Sequence, residues 1–302
     1  MIIHKPKNAK IFNYYKFVKK STLKTVVYTS DKKTHFFQEL KLIFRDIKSS
    51  NFLAYQMTKR DIQSQHRQSL LGFFWILAPV IINSLVWLFL NGAGVVKVST
   101  PDGTPYPVFV ILGTTIWSIF AEAIQSPITS VNTGRSIISK INFPKEALLM
   151  KGFYTSIFNL IIKMIPIIGI LIIYKISPSW NLLLFPFYIL ALTLFAFTIG
   201  LIITPLGLIY TDISKILITG IPFLMYVTPV VYAVPAIGVF KFLFKLNPLT
   251  YLINDTRNTL VGAEIHSLMF TIIVTVVSSI VLLIGLVIFR KSMPIVIEKI
   301  AG

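Results

Sequence analysis

Over 302 residues, hydrophobic side chains make up 55% and charged ones only 13%, and the mean hydropathy is +0.76. A soluble globular domain carries about 25% charged residues, so a soluble fold is excluded and an all-α integral membrane protein is expected. The net charge of +18 does not point to nucleic acid, because it sits beside apolar runs, where basic residues orient spans and attract anionic lipid; with no cysteine, disulfides, thiol chemistry and cysteine zinc sites are excluded.

Residues 1–35 are Lys-rich with scattered aromatics and read as a basic cytoplasmic tail. The first 30 residues have no continuous apolar core, so no cleaved signal is expected. Residues 36–69 read as an amphipathic interfacial arm. Phe36, Leu40, Ile43, Phe44 and Ile47 recur at helical spacing, with Glu39, Lys41, Arg45, Asp46 and Lys48 mostly opposite. That pattern suits a helix lying in the membrane interface, and equally an ordinary packed amphipathic helix. Lys59, Arg60, Asp61, His66 and Arg67 end the arm. The chain then carries no charge from Leu70 to Leu90, long enough to cross about 30 Å of hydrocarbon as a helix.

Lack of charge and length predict six spans within 70–290, at 70–90, 107–128, 153–174, 182–206, 213–234 and 267–289. The last is followed by a short cytoplasmic tail, 291–302. With the N-terminus inside, cytoplasmic segments hold 23 of the 29 Lys and Arg, so the positive-inside rule places both termini in the cytoplasm. Before the last span, residues 235–266 fit neither a loop nor a full crossing. The apolar runs on either side of Asn247-Pro248 are too short to span, and Pro248 pushes Asn247 out of helical geometry. Two short helices forming a re-entrant pair are predicted there, with an amphipathic external hairpin as the alternative.

Two charges fall inside spans, Glu122 and Lys163. An isolated charge in hydrocarbon costs at least about 2.5 kcal/mol. Counted along antiparallel helices the two lie at similar depth, so they are expected to pair or to face a wet pathway; if a span boundary is off by a turn, one of them sits at the interface instead.

Familiar chemistry is missing. There is no G-x-x-x-x-G-K-[ST], no H-E-x-x-H and no G-x-S-x-G. The four histidines are far apart and in polar segments, and the acidic residues do not cluster. No catalytic residue, no metal site and no cofactor on this chain are expected.

Short motifs in a fixed order carry a resemblance. They are Arg60-Asp61-Ile62, Gln68-Ser69-Leu70-Leu71-Gly72 with Trp75 and Pro79, Phe143-Pro144-Lys145-Glu146, Asp212, Thr228-Pro229-Val230-Val231-Tyr232, and Asn247-Pro248 followed by Arg257. Over residues 52–290 the chain resembles the permease subunits of type-2 ABC exporters of polysaccharide, which move O-antigen, capsule or teichoic-acid chains. Gln65-His66 stands where that family usually has Arg-Tyr, Thr211 where it has Arg, and Thr228 where it has Ser. The resemblance implies a homodimer in the cytoplasmic (inner) membrane of a bacterium, two separate ATPase subunits that hold ATP and Mg, and a polyprenyl-diphosphate-linked glycan as substrate. An exporter of drugs or lipids and a polyprenyl-phosphate glycosyltransferase are the alternatives.

Under that resemblance Arg135, Ile138, Lys140, Phe143, Pro144, Lys145 and Glu146 are the candidates for coupling to the ATPase, on the longest cytoplasmic connection. Arg45, Lys48, Lys59, Arg60 and Arg67 are candidates for the lipid diphosphate, because a guanidinium grips phosphate as a fork; topology through the positive-inside effect explains the same charges. Asn247, Pro248, Tyr251 and Arg257 are candidates for an outer gate.

Overall fold

In the computed structural model, residues 35–301 are described apart from 68, 97, 99, 101–102, 139–142 and 234–238. The predicted basic tail, 1–34, lies outside the described residues. All regular elements among the described residues are helical, in the order α1 Phe36–Arg67, α2 Phe74–Gly92, α3 Tyr106–Thr133, the single turn α4 Arg135–Ile138, α5 Glu146–Ile173, α6 Phe185–Ile209, α7 Thr211–Leu224, α8 Val239–Leu246, α9 Pro248–Val261 and α10 Leu268–Ala301.

The arm is one helix of 32 residues. It ends where the Ser69 hydroxyl accepts a hydrogen bond from the Gly72 amide at 3.1 Å and Gly72 takes φ +47°, a left-handed value that glycine adopts without a Cβ clash. That corner turns the chain into α2.

Among the described residues five helices, α2, α3, α5, α6 with the 3-10 turn Trp180–Leu184 before it, and α10, are long and apolar enough to cross a membrane. The segment expected as the fifth span, 213–234, is shorter than predicted. Its α-helix ends at Leu224, a 3-10 turn Met225–Val227 continues it, and Thr228 is extended. At 1.5 Å per residue this covers about 25 Å, less than a full hydrocarbon core. Pro222 lies inside α7, and Pro229 restricts Thr228 to extended backbone, so the apolar run does not stay helical to its end.

α3 is the most enclosed helix and packs against α2, α5, α6 and α9. Close approach comes from small residues, as in membrane helix pairs. A Cβ on Gly200 would sit 2.1 Å from the Ile124 carbonyl oxygen, and one on Gly152 would sit 2.8 Å from the Ser126 hydroxyl. A second apolar cluster at the other end of the bundle joins Leu40, Ile43 and Met57 of α1 to Leu148 of α5, Leu208 of α6 and Phe289 and Met293 of α10. The arm is therefore packed on the bundle and not splayed from it.

Candidate functional site

On α1 the charges are sorted by sign. Glu39, Asp46 and Asp61 flank the packed face and pair with bases elsewhere in the bundle. Lys41, Arg45, Lys48 and Lys59 lie on the exposed face beside Phe37, Phe44, Phe52 and Tyr55, all more than half exposed. Phe44, grouped with Leu40 and Ile43 on one face, is outside while those two are buried, and Asp46, placed mostly on the opposite face, is turned toward the bundle. Arg60 is also exposed and pairs only with its neighbour Asp61, at 3.0 Å. The side chain of Arg67 lies outside the described ones.

The acids of the arm meet Arg290, the first charge after the apolar run of α10. Its guanidinium reaches Asp46 at 2.8 Å, Glu146 at 3.1 Å and Glu39 at 3.5 Å. Glu146, the first residue of α5, is buried. One cation thus ties the arm, the Phe-Pro-Lys-Glu element and the last helix together. Sequence reading passed over Arg290 as a flanking charge; its one visible signal was to be the first charge after an uninterrupted apolar helix.

The rest of the candidate coupling segment is anchored by the same end of the bundle. The Arg135 guanidinium donates to the Leu208 carbonyl at 2.8 Å. Phe143 packs against the second apolar cluster, and the Lys145 ammonium lies 4.7 Å from its ring centroid. Pro144 accepts a hydrogen bond from the Ala147 amide and starts α5. Lys140 lies outside the described residues, as does the side chain of Ile138.

Between α1, α2, α3 and α5 runs a polar cleft of about 480 Å³. α3 contributes Ser118, Glu122, Gln125, Ser126, Thr129 and Thr133, spaced along one helical face; α5 contributes Lys151, Thr155, Ser156, Asn159 and Lys163 in the same way. The α5 row alone is about 18 Å long. The predicted pair is present: Lys163 Nζ lies 2.6 Å from Glu122 Oε2 and also donates to the Ser118 carbonyl at 3.0 Å. Asn159 donates to the other Glu122 oxygen. Lys151 pairs with Asp61 and donates to the Thr133 hydroxyl at 3.0 Å. Each cation lining the cleft is therefore paired with a carboxylate, Asp61 being shared with Arg60 outside it. The hydroxyls of Ser126 and Ser156 are buried without a hydrogen-bond partner. A smaller cavity between α2, α3 and α7 shares Pro79, Ser118, Ala121 and Gln125 with the cleft.

At the opposite end the chain breaks at Asn247-Pro248 as expected, giving the two short helices α8 and α9. Asn247 caps α9 by accepting from the Leu249 amide at 3.0 Å, and its amide donates to the Thr228 hydroxyl at 3.0 Å. The Tyr251 hydroxyl donates to the Lys245 carbonyl at 2.9 Å. Arg257 is fully enclosed. It donates to the Val230 carbonyl at 2.5 Å and lies 3.7 Å from the Phe109 ring centroid. Gly113 makes room for it, since a Cβ there would lie 2.5 Å from the guanidinium. The Thr-Pro-Val and Asn-Pro motifs, distant in sequence, are thus one contact.

A helical membrane bundle with a basic arm, no nucleotide cradle in its sequence and a Phe-Pro-Lys-Glu element clasped to its last helix defines a class. Residues 53–261 match the model of the ABC-2 type transporter family, and the chain belongs to that family: a multi-pass membrane subunit that works with an ATPase subunit and serves transport rather than catalysis. It is similar to two O-antigen export system permease proteins named RfbA from Klebsiella pneumoniae. One is 28% identical over 246 residues, covering 78% of this chain and 90% of the relative; the other is 25% identical over 240 residues with the same coverage. The RfbA permease of Myxococcus xanthus is 21% identical over 216 residues, covering 70% of this chain and 82% of that one.

Proposed function

We propose that the chain is the transmembrane subunit of an ATP-driven exporter that carries a polyprenyl-diphosphate-linked polysaccharide of O-antigen type across the cytoplasmic membrane. The observation that carries this reading is the similarity to O-antigen export permeases over up to 90% of their length. Two copies form the membrane part, both termini lie in the cytoplasm, and two ATPase subunits with bound ATP and Mg dock at the end of the bundle that carries Arg290. Depleting the chain in its host should trap lipid-linked glycan on the inner leaflet, scored by access to a membrane-impermeant lectin in right-side-out vesicles. Glycan reaching the outer face at the normal rate in depleted cells would sink the reading.

The segment from Asn132 to Lys151 is the ATPase contact in this proposal. Phe143, held between Lys145 and the apolar cluster, links the segment to the bundle. A photocrosslinker at Phe143 should capture the ATPase; capture only from the turn at Tyr210 to Lys215 would move the contact there.

The exposed bases of α1 hold the lipid diphosphate at the membrane surface. Arg60 is the sharpest test, because it is exposed and its partner is the neighbouring Asp61, which Lys151 also holds. Arg60→Lys keeps the charge and topology but loses the bidentate grip. Export should fall several-fold at unchanged protein level, measured by the same lectin assay; normal export leaves these charges with topology alone.

A further inference from the structure

The short helix α9 carries two buried charges of opposite sign that do not meet. Asp255 is 3% exposed and Arg257 is 2% exposed. Two positions along a helix are about 200° apart, so the two side chains leave opposite sides of it. Arg257 goes to Val230 and Phe109; Asp255 goes to α6 and the start of α10. The Asp255 carboxylate accepts from the Ser267 amide at 3.0 Å and from the Tyr188 hydroxyl at 3.4 Å. Both partners are neutral, and among the described residues no base forms an ion pair with it. The ionisable groups that face it are Tyr188 of α6, itself fully enclosed, and His266, exposed on the connection into α10. α10 carries no ionisable group before Arg290, and the turn Trp180–Leu184 carries none. Tyr106 and Glu122 of α3 and Lys245 of α8 do not bond to it, and the side chain of Lys241 lies outside the described ones. The same connection is fastened twice more. Asn181 donates to the Ala263 carbonyl at 2.9 Å, and Asn258 donates to the Glu264 carbonyl at 2.7 Å.

α9 is thus seated on α6 and α10 through a carboxylate that has no counter-charge of its own. Burial pushes the Asp255 carboxyl up from the ordinary carboxylate range, against the hydrogen bonds at Ser267 that pull it down. The seated carboxyl therefore holds a proton more tightly than a solvated one. Seating is favoured in acid and loses stability as pH rises through the seated value. A proton on His266 acts in the same direction, by attracting the carboxylate that remains charged. We propose that Asp255 is a positioning residue that makes the seat of the re-entrant pair proton-responsive: acid on that side holds α9 against α6 and α10, and a neutral medium lets it loosen. Its use as a brake on export rests on the glycan-exporter reading; the proton-dependent seat does not.

The absence of cysteine makes the seat observable. Thr259 of α9 is fully enclosed, so Thr259→Cys reports on seating. Glu264 is exposed, so Glu264→Cys corrects for the reactivity of a thiol at each pH. The complete transporter with its ATPase, in lipid nanodiscs, is labelled with a maleimide between about pH 5 and about pH 8, above the ordinary Asp value. Labelling in Thr259→Cys relative to Glu264→Cys should rise several-fold across that range. Asp255→Asn keeps an acceptor for the Ser267 amide and removes the charge, so with it the ratio should stay at its low acid value throughout. His266→Ala should leave most of the rise in place. A flat ratio in the parent background overturns the proposal, as does a rise that survives Asp255→Asn or vanishes only with His266→Ala. A ratio high at every pH in Asp255→Asn, with a lowered melting temperature, shows a carboxylate that is merely structural and also overturns it. If Asp255→Asn does not accumulate, Asp255→Glu keeps a titrating group in its place and should displace the rise along the pH axis; an undisplaced rise overturns the assignment. In right-side-out vesicles, export scored with the lectin should be several-fold slower in an acid medium, and equally slow at neutral pH in Asp255→Asn. Export that ignores the outside pH while the seat follows it overturns the brake. No export at any pH, with a seat that follows pH, overturns the exporter reading and leaves the seat standing.

Discussion

Lys163→Met should lower the folded yield and the unfolding temperature markedly, and adding Glu122→Gln should restore much of both. Lys163 is 3% exposed, and its ammonium rests between the Glu122 carboxylate and the Ser118 carbonyl. Methionine fills the volume but leaves Glu122 charged, with only the Asn159 amide to hold it. Removing one partner of a buried ion pair costs about 3–5 kcal/mol. The cleft lets some water reach Glu122, so the lower end, about 3 kcal/mol, is expected here. Against a total stability of about 5–15 kcal/mol that is a large share. In the double variant the amide that replaces the Glu122 carboxylate is uncharged, and its oxygen still accepts from Asn159, so nothing charged is stranded. A double-mutant cycle on folded yield and thermal unfolding in detergent checks this. Purely additive effects would mean that the two residues do not interact.

Arg290→Ala should have the next largest effect, and it should be mechanical as well as thermodynamic. Three carboxylates, Glu39, Asp46 and Glu146, converge on that one guanidinium. Without it they repel one another at the junction of three elements. The site is partly open to water, which places the loss at about 2–4 kcal/mol, somewhat under the value for a wholly buried pair. Arg290→Lys should recover only part, because a point charge cannot reach three acids at once as a planar fork does. Arg290→Ala with Glu146→Gln should recover part by a different route, removing the most buried of the three charges. Thermal unfolding of the purified chain measures the first effect. ATPase activity no longer stimulated by the lipid-linked glycan measures the second. A melting temperature equal to the parent's for Arg290→Ala would show the clasp to be ornamental.

The sequence made some of this visible and hid the rest for physical reasons. The Glu122–Lys163 pair was legible because hydrocarbon leaves a charge so few options that counting depth along two helices was enough. The break at Asn247-Pro248 was legible because proline acts locally. The grouping of α1 into one apolar and one polar face failed at Phe44 and Asp46, because the apolar side chains divide between the bundle and the outside while Glu39 and Asp46 turn in to meet Arg290. The end of α7 was hidden because hydropathy stays high through residues that Pro222 and Pro229 keep from remaining helical. The Arg290 clasp was hidden because Glu146 lies 144 positions earlier and nothing local marks the pairing. The unpartnered hydroxyls of Ser126 and Ser156 were hidden among many span serines, since only packing decides which find a carbonyl.

The clasp also sets an order of events during synthesis. Glu39, Asp46 and Glu146 leave the ribosome long before Arg290, which comes at the end of the last long helix. Until that helix has entered the bilayer, the three acids have no common counter-ion, and α1 is held to α5 by other contacts such as the Asp61–Lys151 pair alone. The arm and the Phe143–Glu146 element are therefore latched to the last helix only once the whole membrane part has been made. A chain that fails to insert its last helix presents an unlatched arm to the proteases of the membrane surface.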